Sequence, residues 1–254
     1  MIHPTAIVEK GASIADDAEI GPYCVIGGKA AVGAGTKLIS HVAVEGRTKI
    51  GSSCTIHPFV SLGGPPQDIT YKGEETTCLV GNNNVVREYV TINRGTKSSG
   101  TTSVGDNNFI MAYSHIAHDC VVGSNVIMAN CATLGGHVHV ADFAILSGVC
   151  AIHQFCKVGK YAFVSGLTGV PKDVPPFVIV AGNRATLYGL NVVGLERHGF
   201  SKEDIATLKK AYRILFRSSL SLQASLEAIE EQLQGEHVQE LVAFIRSSQR
   251  GICR

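Results

Sequence analysis

The chain has 254 residues and a formal net charge of +1, with 45% hydrophobic and 17% charged residues. The near-neutral charge argues against a general nucleic-acid binder, and no apolar run of about eighteen residues is present to span a membrane. Residues 1–4 already belong to the repeat described next, so we expect no secretory signal. The 28 glycines and the absence of tryptophan suit a narrow interior of small and branched side chains.

Aliphatic residues recur at every sixth position, a period that fits neither a helix nor a heptad. This period predicts a parallel β-helix in which three repeats close a triangular coil of about eighteen residues. Glycines 21, 27, 33 and 51 follow aliphatic positions, where we expect left-handed backbone dihedrals at the corners. The series is Ile2, Val8, Ile14, Ile20, Ile26, Val32, Leu38, Val44, Ile50, Ile56 and Leu62, and later Val104, Ile110, Ile116, Val122, Met128, Leu134, Val140, Leu146, Ile152, Val158, Val164 and Val170.

Most of the eight cysteines occupy one position of the repeat, two residues before the aliphatic position. Alanine takes the same place in other repeats, and side chains alternate along a strand, so we predict that these cysteines point inward as small core residues. The chain has no CxxC pair that would indicate a structural zinc site. We therefore expect a reduced, cytoplasmic protein. The cysteines are Cys24, Cys54, Cys78, Cys120, Cys150 and Cys156.

The repeat lapses in two polar stretches and then gives way to a different pattern. Loops are predicted near residues 63–78 and 96–102, and the prolines of residues 171–176 are expected to end the stack. We assign residues 1–190 to the β-helix and 191–254 to a C-terminal helical domain, entered through a linker and capped by Ser201. The first of three predicted helices is basic, which indicates either a solvated surface or a dock for an acidic carrier protein. Its basic residues are Lys202, Lys209, Lys210, Arg213 and Arg217.

Histidines cluster in the second series of repeats. His118, His137 and His153 lie at corner positions beside aliphatic residues spaced eighteen apart, Ile116, Leu134 and Ile152. Because neighbouring strands lie about 4.8 Å apart, the three imidazoles should fall within roughly 10 Å of one another on one exposed edge. Imidazole titrates near neutrality and can take a proton from an alcohol. We therefore predict that His118, which is followed by Asp119, is a general base.

Two further features suit acyl transfer. A glycine pair at 135 and 136 precedes His137, and a backbone N–H of a glycine can approach a thioester oxyanion. A coil without crossover helices leaves flat outer faces, so a ring of three prisms with sites in the clefts between subunits is the natural assembly.

Five motifs in order give the chain a resemblance to a known family. The chain resembles the UDP-N-acetylglucosamine acyltransferases, which catalyse the first step of lipid A biosynthesis, and the likeness runs from end to end. The resemblance implies a left-handed coil, a homotrimer without cofactor or metal, and transfer of an (R)-3-hydroxyacyl group from acyl carrier protein to the 3-hydroxyl of UDP-N-acetylglucosamine. The motifs are His115-Ile116-Ala117-His118-Asp119-Cys120, Leu134-Gly135-Gly136-His137-Val138, Ile152-His153-Gln154-Phe155-Cys156, Asp173-Val174-Pro175-Pro176 and Gly199-Phe200-Ser201.

The same resemblance implies a role for each candidate site residue. His118 matches the general base, Asp119 its supporting acid, and Gly136 the oxyanion donor. Gly166 matches the position that limits acyl-chain length, and since glycine leaves the groove open we expect a longer chain. The remaining matches are substrate contacts: Asp68, Gln67, His115, His137, His153, Gln154, Asn191 and Arg197.

Three positions depart from the family pattern. Thr70 stands where a lysine often follows the loop aspartate, Val193 where an acid is common, and His198 where a second arginine follows Arg197. These departures concern nucleotide binding and carrier docking and leave the catalytic edge unchanged.

Three other functions remain open on the sequence. A related hexapeptide N-acyltransferase of the same pathway, or a variant that accepts a 3-amino sugar, would use the same base. A zinc hydratase of the carbonic anhydrase type would use three histidines from two subunits, although the spacing of His115 and His118 does not match its ligand spacing. A non-catalytic solenoid would leave the loops, the glycine pair and the basic helix without a role.

Overall fold

The computed structural model describes residues 1–254, and most of its strands are only two residues long. Most strands are followed by a short turn, and the strands stack into three long sheets. Pairing is parallel throughout, except for one antiparallel strand at the C-terminal end. The predicted fold, a left-handed parallel β-helix with a C-terminal helical part, is confirmed.

The three sheets form the faces of a triangular prism, which we number in the order the chain first meets them. The first face contains Ile7–Val8, Val25–Ile26, Ala43–Val44, Ser61–Gly64, Thr91–Asn93, His115–Ile116, Thr133–Leu134, Ala151–Ile152 and Gly169–Val170. The second face contains Ser13–Ile14, Ala31–Val32, Arg47–Ile50, Thr77–Val80, Thr101–Val104, Val121–Val122, His139–Val140 and Lys157–Val158. The third face contains Glu19–Ile20, Lys37–Leu38, Thr55–Ile56, Val85–Val86, Phe109–Ile110, Ile127–Met128, Ile145–Leu146, Phe163–Val164, Val178–Ala181 and the antiparallel Thr186–Leu190.

The interior of the prism consists of the aliphatic series and the small residues two positions before it. Ile116, Leu134 and Ile152 pair in register on the first face, as their spacing predicts. The six cysteines of the repeat are buried free thiols, which confirms their core role. Burial raises the pKa of Cys78 to about 12, so this thiol stays neutral and packs as an apolar side chain.

The corners are built differently from the prediction. The four glycines predicted to be left-handed are not. At three of these corners, those of Gly21, Gly33 and Gly51, the left-handed residue is two positions later. Elsewhere in the stack this position usually carries a side chain, as at His137 with φ 61°. Glycine is needed for another reason, since a Cβ on Gly33 would lie 2.6 Å from the backbone of Gly51 in the next coil. The close stacking of the coils therefore selects these glycines.

The left-handed corner residues form a column along each edge of the prism, and we name the edges by these columns. The histidine edge joins the first and second faces and carries Asp119, His137 and Phe155. The asparagine edge joins the second and third faces and carries Asn83, Asn107, Asn125, Phe143 and Tyr161. The aromatic edge joins the third and first faces and carries Tyr23, His41, Phe59, Tyr89 and Tyr113.

The prolines of residues 171–176 do not end the stack, contrary to the prediction. Val174 still bridges Val158, and Val178–Ala181 still pairs in parallel with Phe163–Val164. The antiparallel partner Thr186–Leu190 is the last strand. Proline is tolerated here because the donors it removes belong to the last, incomplete coil.

Four helices follow, one more than predicted: α1 Val192–Arg197, α2 Lys202–Arg217, α3 Leu222–Gln232 and α4 Glu236–Ser247. Helix α1 replaces the expected linker. The predicted cap of α2 is confirmed, since Ser201 Oγ accepts a hydrogen bond from the N–H of Asp204 at 3.0 Å. The apolar stripes of the helices pack into a separate core that includes Phe177. No helix combines the length and apolar character needed to cross a membrane.

Candidate active site

The centre of the candidate site is a hydrogen-bonded pair of neighbours on the histidine edge. Nδ1 of His118 lies 2.8 Å from Oδ2 of Asp119. The imidazole is partly exposed, whereas the carboxylate is fully buried. Burial alone would raise the pKa of Asp119, but hydrogen bonds from Ser99, His118 and Thr96 outweigh it and lower the pKa to about 2. The carboxylate is therefore charged at neutral pH and fixes the orientation of the ring.

The second loop holds this carboxylate in place, a role that sequence reasoning missed. Thr96 donates its N–H to Oδ1 of Asp119 at 2.9 Å and its hydroxyl to Oδ2 at 2.7 Å. The Ser99 hydroxyl donates to Oδ1, and the N–H of Asp119 donates to Thr102 Oγ1 at 2.8 Å. The available signal was the run of hydroxyl residues in a loop one coil before the histidine.

His137 and Gly136 lie against His118 on the next coil. The two imidazoles meet edge to face with centroids 5.3 Å apart, and Nε2 of His137 is 3.5 Å from Oδ2 of Asp119. A Cβ on Gly136 would lie 2.6 Å from the His118 ring, so only glycine fits there. On its other side His137 stacks on Phe155 at 4.5 Å, a contact that was not predicted.

His115 lies on the outer side of the first face. Its Nδ1 is 2.7 Å from Thr91 Oγ1. Burial, together with the nearby His118, lowers the pKa of His115 and so favours its neutral ring, which can share hydrogen bonds with a polar ligand.

The first loop brings Asp68 towards the histidine edge, where the charge of His118 contributes to its electrostatic environment. Thr70 donates its N–H and its hydroxyl to the same oxygen, Oδ1 of Asp68, at 2.8 and 2.9 Å. These bonds lower the pKa of Asp68 and leave Oδ2 available to a ligand. Arg94 anchors the loop by donating to Gly63 O at 2.8 Å and to the Tyr71 hydroxyl. Gln67 is exposed at the same loop.

His153 and Gln154 lie on the same edge, two coils after His118. Nδ1 of His153 is 3.1 Å from Gln154 O and 3.2 Å from Nη2 of Arg250. Arg250 comes from the end of the chain and was not among the predicted residues.

Asn191 and Arg197 are not brought to this edge within one chain. Asn191 lies at the asparagine edge, where its amide donates to Tyr161 O at 2.9 Å and its Oδ1 accepts from the N–H of Gly194 at 3.1 Å. Its side chain therefore caps α1 and ties it to the prism, and Arg197 stands in the last turn of that helix. Gly166 lies on the aromatic edge, and a Cβ there would meet only Gly148 O, at 3.4 Å.

His118, Asp119 and His137 are close enough to share a cation, with ligand atoms within 4.8 Å of one another. Both oxygens of the carboxylate, however, already accept hydrogen bonds from Thr96, Ser99 and His118. The arrangement fits an oriented base better than a metal centre.

The N–H of Gly136, on the coil next to this base, donates to no acceptor within the chain. A β-helix of six-residue repeats with such a base and donor is typical of the hexapeptide-repeat acyltransferases. The model of the bacterial transferase hexapeptide repeat matches residues 101–136, and that of domain 2 of UDP-N-acetylglucosamine O-acyltransferase matches residues 173–253. The chain belongs to the UDP-N-acetylglucosamine O-acyltransferase family.

Full-length relatives establish this membership. The acyl-[acyl-carrier-protein]–UDP-N-acetylglucosamine O-acyltransferase of Thermodesulfovibrio yellowstonii is 55% identical, over 100% of this chain and 99% of the relative. The protein of that name from Syntrophobacter fumaroxidans is 48% identical, over 100% and 99% of the two chains. The solved UDP-N-acetylglucosamine acyltransferase of Francisella novicida superposes with a TM-score of 0.98 at 43% identity, covering 100% of this chain and 94% of that one.

Proposed function

We propose that the chain transfers an (R)-3-hydroxyacyl group from acyl carrier protein to the 3-hydroxyl of UDP-N-acetylglucosamine, the first step of lipid A biosynthesis. The observation that carries the proposal is the His118 imidazole, oriented by the buried charge of Asp119 at an accessible edge. The names of the full-length relatives support the choice of both substrates.

The reaction is a single acyl transfer with His118 as general base. Because Nδ1 faces Asp119, Nε2 is the nitrogen that takes the proton of the sugar hydroxyl as its oxygen attacks the thioester carbonyl. The N–H of Gly136 has no acceptor within the chain and donates to the developing oxyanion. When the intermediate collapses, the C–S bond breaks and His118 returns the proton to the sulfur. The buried charge of Asp119 stabilises the imidazolium between the two transfers.

Polar groups around this base form the proposed sugar site. The free Oδ2 of Asp68 accepts a hydrogen bond from a sugar hydroxyl. His115 and His137 contact the ring, and His153 and Gln154 contact the part of the substrate further down the edge. Gln67 adds a contact from the first loop.

The outer surfaces of the prism support a homotrimer. From Val85 onwards the outward positions of the third face form a large apolar row, whereas most of those of the first face from Ala43 onwards are small and uncharged. The aromatic edge lies between the two faces. Tyr89 and Tyr113, stacked on this edge at 4.8 Å, are both more than 40% exposed, which is costly for a lone chain. The apolar row is Val85, Phe109, Ile127, Ile145, Phe163 and Ile179; the small positions include Thr91, Thr133, Ala151 and Gly169.

Three prisms with their aromatic edges turned to one axis leave three wedge-shaped clefts. Each cleft is walled by the first face of one subunit and the third face of its neighbour. The histidine edge of one subunit then faces the asparagine edge of the next. This arrangement gives Asn191 and Arg197 their proposed place near the nucleotide, across the cleft from His118. Arg197 has no carboxylate partner in the chain and is available to a phosphate.

The acyl chain has an open path beside Gly166 on the aromatic edge. Because a glycine there adds no side chain, the groove continues past it, and we propose a longer rather than a shorter hydroxyacyl chain. The basic residues of α2 are exposed, and we propose that they dock the acidic carrier. We place the protein in the cytoplasm, because seven of its eight cysteines are buried free thiols.

One assay tests the proposal. Purified protein is incubated with UDP-N-acetylglucosamine and hydroxyacyl carrier proteins of graded length, and the product is identified by mass. We expect a 3-O-acylated sugar nucleotide and a loss of at least about 10²-fold in kcat for His118→Ala. Preference for a 3-amino sugar would favour the N-acyltransferase. Stoichiometric zinc with activity abolished by chelators would favour the hydratase, and full activity of His118→Ala would overturn the assignment of the base.

A further inference from the structure

One short segment connects the two loops of the candidate site. Residues 94–99 follow a strand of the first face that pairs in register with the strand of His115, one coil later. The first residue of the segment, Arg94, contacts the first loop, and two hydroxyl side chains further along it bind the carboxylate of Asp119. Because Asp68 belongs to the first loop, this segment links the loop of the proposed sugar-binding carboxylate to the catalytic carboxylate.

The guanidinium of Arg94 holds the first loop at two separate places. Nη1 donates to Gly63 O at 2.8 Å, where the loop leaves the first face. Nε and Nη2 both donate to the Tyr71 hydroxyl, at 3.1 and 2.9 Å, in the middle of the loop. One planar side chain therefore clamps the start of the loop to its middle.

Tyr71 carries this restraint to Asp68. Its N–H donates to Asp68 O at 3.0 Å, and its hydroxyl donates to Glu74 O at 2.8 Å. The backbone of Asp68 is thus held by Tyr71, while Thr70 holds its carboxylate. A displacement of Tyr71 would therefore move the carboxylate of Asp68 relative to His118.

The surroundings of Arg94 suit a structural clamp. Arg94 forms no salt bridge in the chain, and all of its side-chain hydrogen bonds go to neutral oxygens. Gly46 leaves room for the guanidinium, because a Cβ there would lie 3.3 Å from Cδ of Arg94. Only the planar fork of arginine spans both acceptors, since a lysine ammonium is a compact point charge.

We infer that Arg94 is a positioning residue, which sets the place of Asp68 relative to His118 by clamping the first loop to the preceding coil of the prism. The inference rests on the proposed function, in which Asp68 binds a sugar hydroxyl. Arg94 makes no hydrogen bond to Asp68 or His118, so it acts on the sugar nucleotide through the loop. Loss of the clamp should weaken binding of this substrate and leave proton transfer unchanged, because the hydrogen bonds of Asp119 do not involve the guanidinium.

The test compares Arg94→Gln and Arg94→Lys with the control Arg246→Gln, which removes an exposed arginine paired with Glu230 in the helical part. Initial rates at a saturating hydroxyacyl carrier give kcat and the KM for UDP-N-acetylglucosamine. We expect both Arg94 variants to raise this KM about tenfold or more with kcat nearly unchanged, since charge-assisted hydrogen bonds are lost. The lysine should fail to restore it because it cannot span Gly63 O and the Tyr71 hydroxyl together. The control should match wild type.

A double-mutant cycle with Asp68 separates positioning from a general loss of structure. In an Asp68→Ala background, Arg94→Gln should change the KM by less than about twofold, because no carboxylate is left to position. An equal rise in both backgrounds, full activity of Arg94→Lys, or a lower kcat and lower thermal stability without a change in KM would overturn the inference. Wild-type protein without acyl transfer would instead defeat the proposed function, and calorimetry of UDP-N-acetylglucosamine binding to wild type and Arg94→Gln would still test the clamp.

Discussion

His118 Nδ1 and Asp119 Oδ2 lie 2.8 Å apart although the residues are neighbours in the chain. Side chains of adjacent residues in an extended strand point to opposite faces. Asp119 escapes this rule because it is a left-handed corner residue, with φ 60°. This left-handed turn brings the Asp119 carboxylate against the imidazole of His118, the preceding residue. Thr96 and Ser99 donate the remaining hydrogen bonds to the carboxylate.

Replacing Asp119 by asparagine should lower kcat by about 10²- to 10³-fold with little change in KM. The amide removes the charge that stabilises the imidazolium, and general-base catalysis is typically worth about 10²- to 10⁴-fold. Initial rates at saturating substrate measure the effect. His139→Ala is the control, because His139 lies on the second face in the same part of the stack. An unchanged kcat in the Asp119→Asn variant would show that the Asp119 carboxylate has no role in catalysis.

The Asp119 carboxylate should make the free energy of unfolding fall at acidic pH. Its pKa is about 2 in the fold, against about 3.9 in an unfolded chain, so its contribution is present above pH 4 and is lost as the pH falls towards 2. The contribution is roughly 2 kcal/mol at pH 7, and about half of it remains at pH 3. Urea unfolding of wild type and Asp119→Asn at both pH values, at one protein concentration, measures it. A difference between the two proteins that does not shrink at pH 3 would contradict this pKa.

Thr70→Val should raise the KM for UDP-N-acetylglucosamine several-fold. Both the N–H and the hydroxyl of Thr70 hold Oδ1 of Asp68, and the variant loses the hydroxyl bond. Asp68 then samples orientations in which Oδ2 no longer meets the sugar. Thr207→Val, in α2, is the control because its hydroxyl bonds only to Glu203 O in the preceding turn. An equal rise in both variants would exclude this role for Thr70.

The sequence predicts the prism because the six-residue period of aliphatic residues arises directly from how the coils pack. Each sixth side chain must fill the interior, so the register, the buried cysteines and the shared edge of His118 and His137 follow from counting. The corner conformation does not follow, because glycine marks where two coils touch, as at Gly33 and Gly51, and the left-handed residue two positions later carries no consistent residue type.

Contacts between segments far apart in the chain could not be predicted from the sequence either. Thr96 and Ser99 reach Asp119 through a loop whose path no local pattern encodes. Arg250 reaches His153 across 97 residues because the terminus adds a rung beside Asp173. Asn191 lies on another edge of the single chain, and only the proposed trimer would bring it to the histidine edge of a neighbouring subunit.

A charge on the third face should dissociate the proposed trimer. Ile127 lies in the outward apolar row, so Ile127→Glu places a carboxylate in the cleft between subunits. Sedimentation should show smaller species, and activity should fall with them because the histidine edge loses the neighbour's Asn191 and Arg197. Val121→Glu is the matched control, an exposed apolar position on the second face that the assembly leaves free. Dissociation by Val121→Glu alone would mean that a different face forms the contact.

Filling the space beside Gly166 should shorten the preferred acyl chain. A Cβ at Gly166 meets only Gly148 O at 3.4 Å, so the fold accepts a side chain that projects into the proposed groove. Gly166→Met should therefore lower kcat/KM for the longest accepted hydroxyacyl carriers by about tenfold or more per two methylenes displaced, at about 0.8 kcal/mol for each buried methylene. Shorter carriers should be used as well as before. Competition among carriers of graded length, with products separated by mass, measures the shift. Ala31→Met serves as the control, because Ala31 is an outward position of the second face, which the proposed assembly leaves free. An identical chain-length profile for Gly166→Met and wild type would show that the acyl chain takes another path.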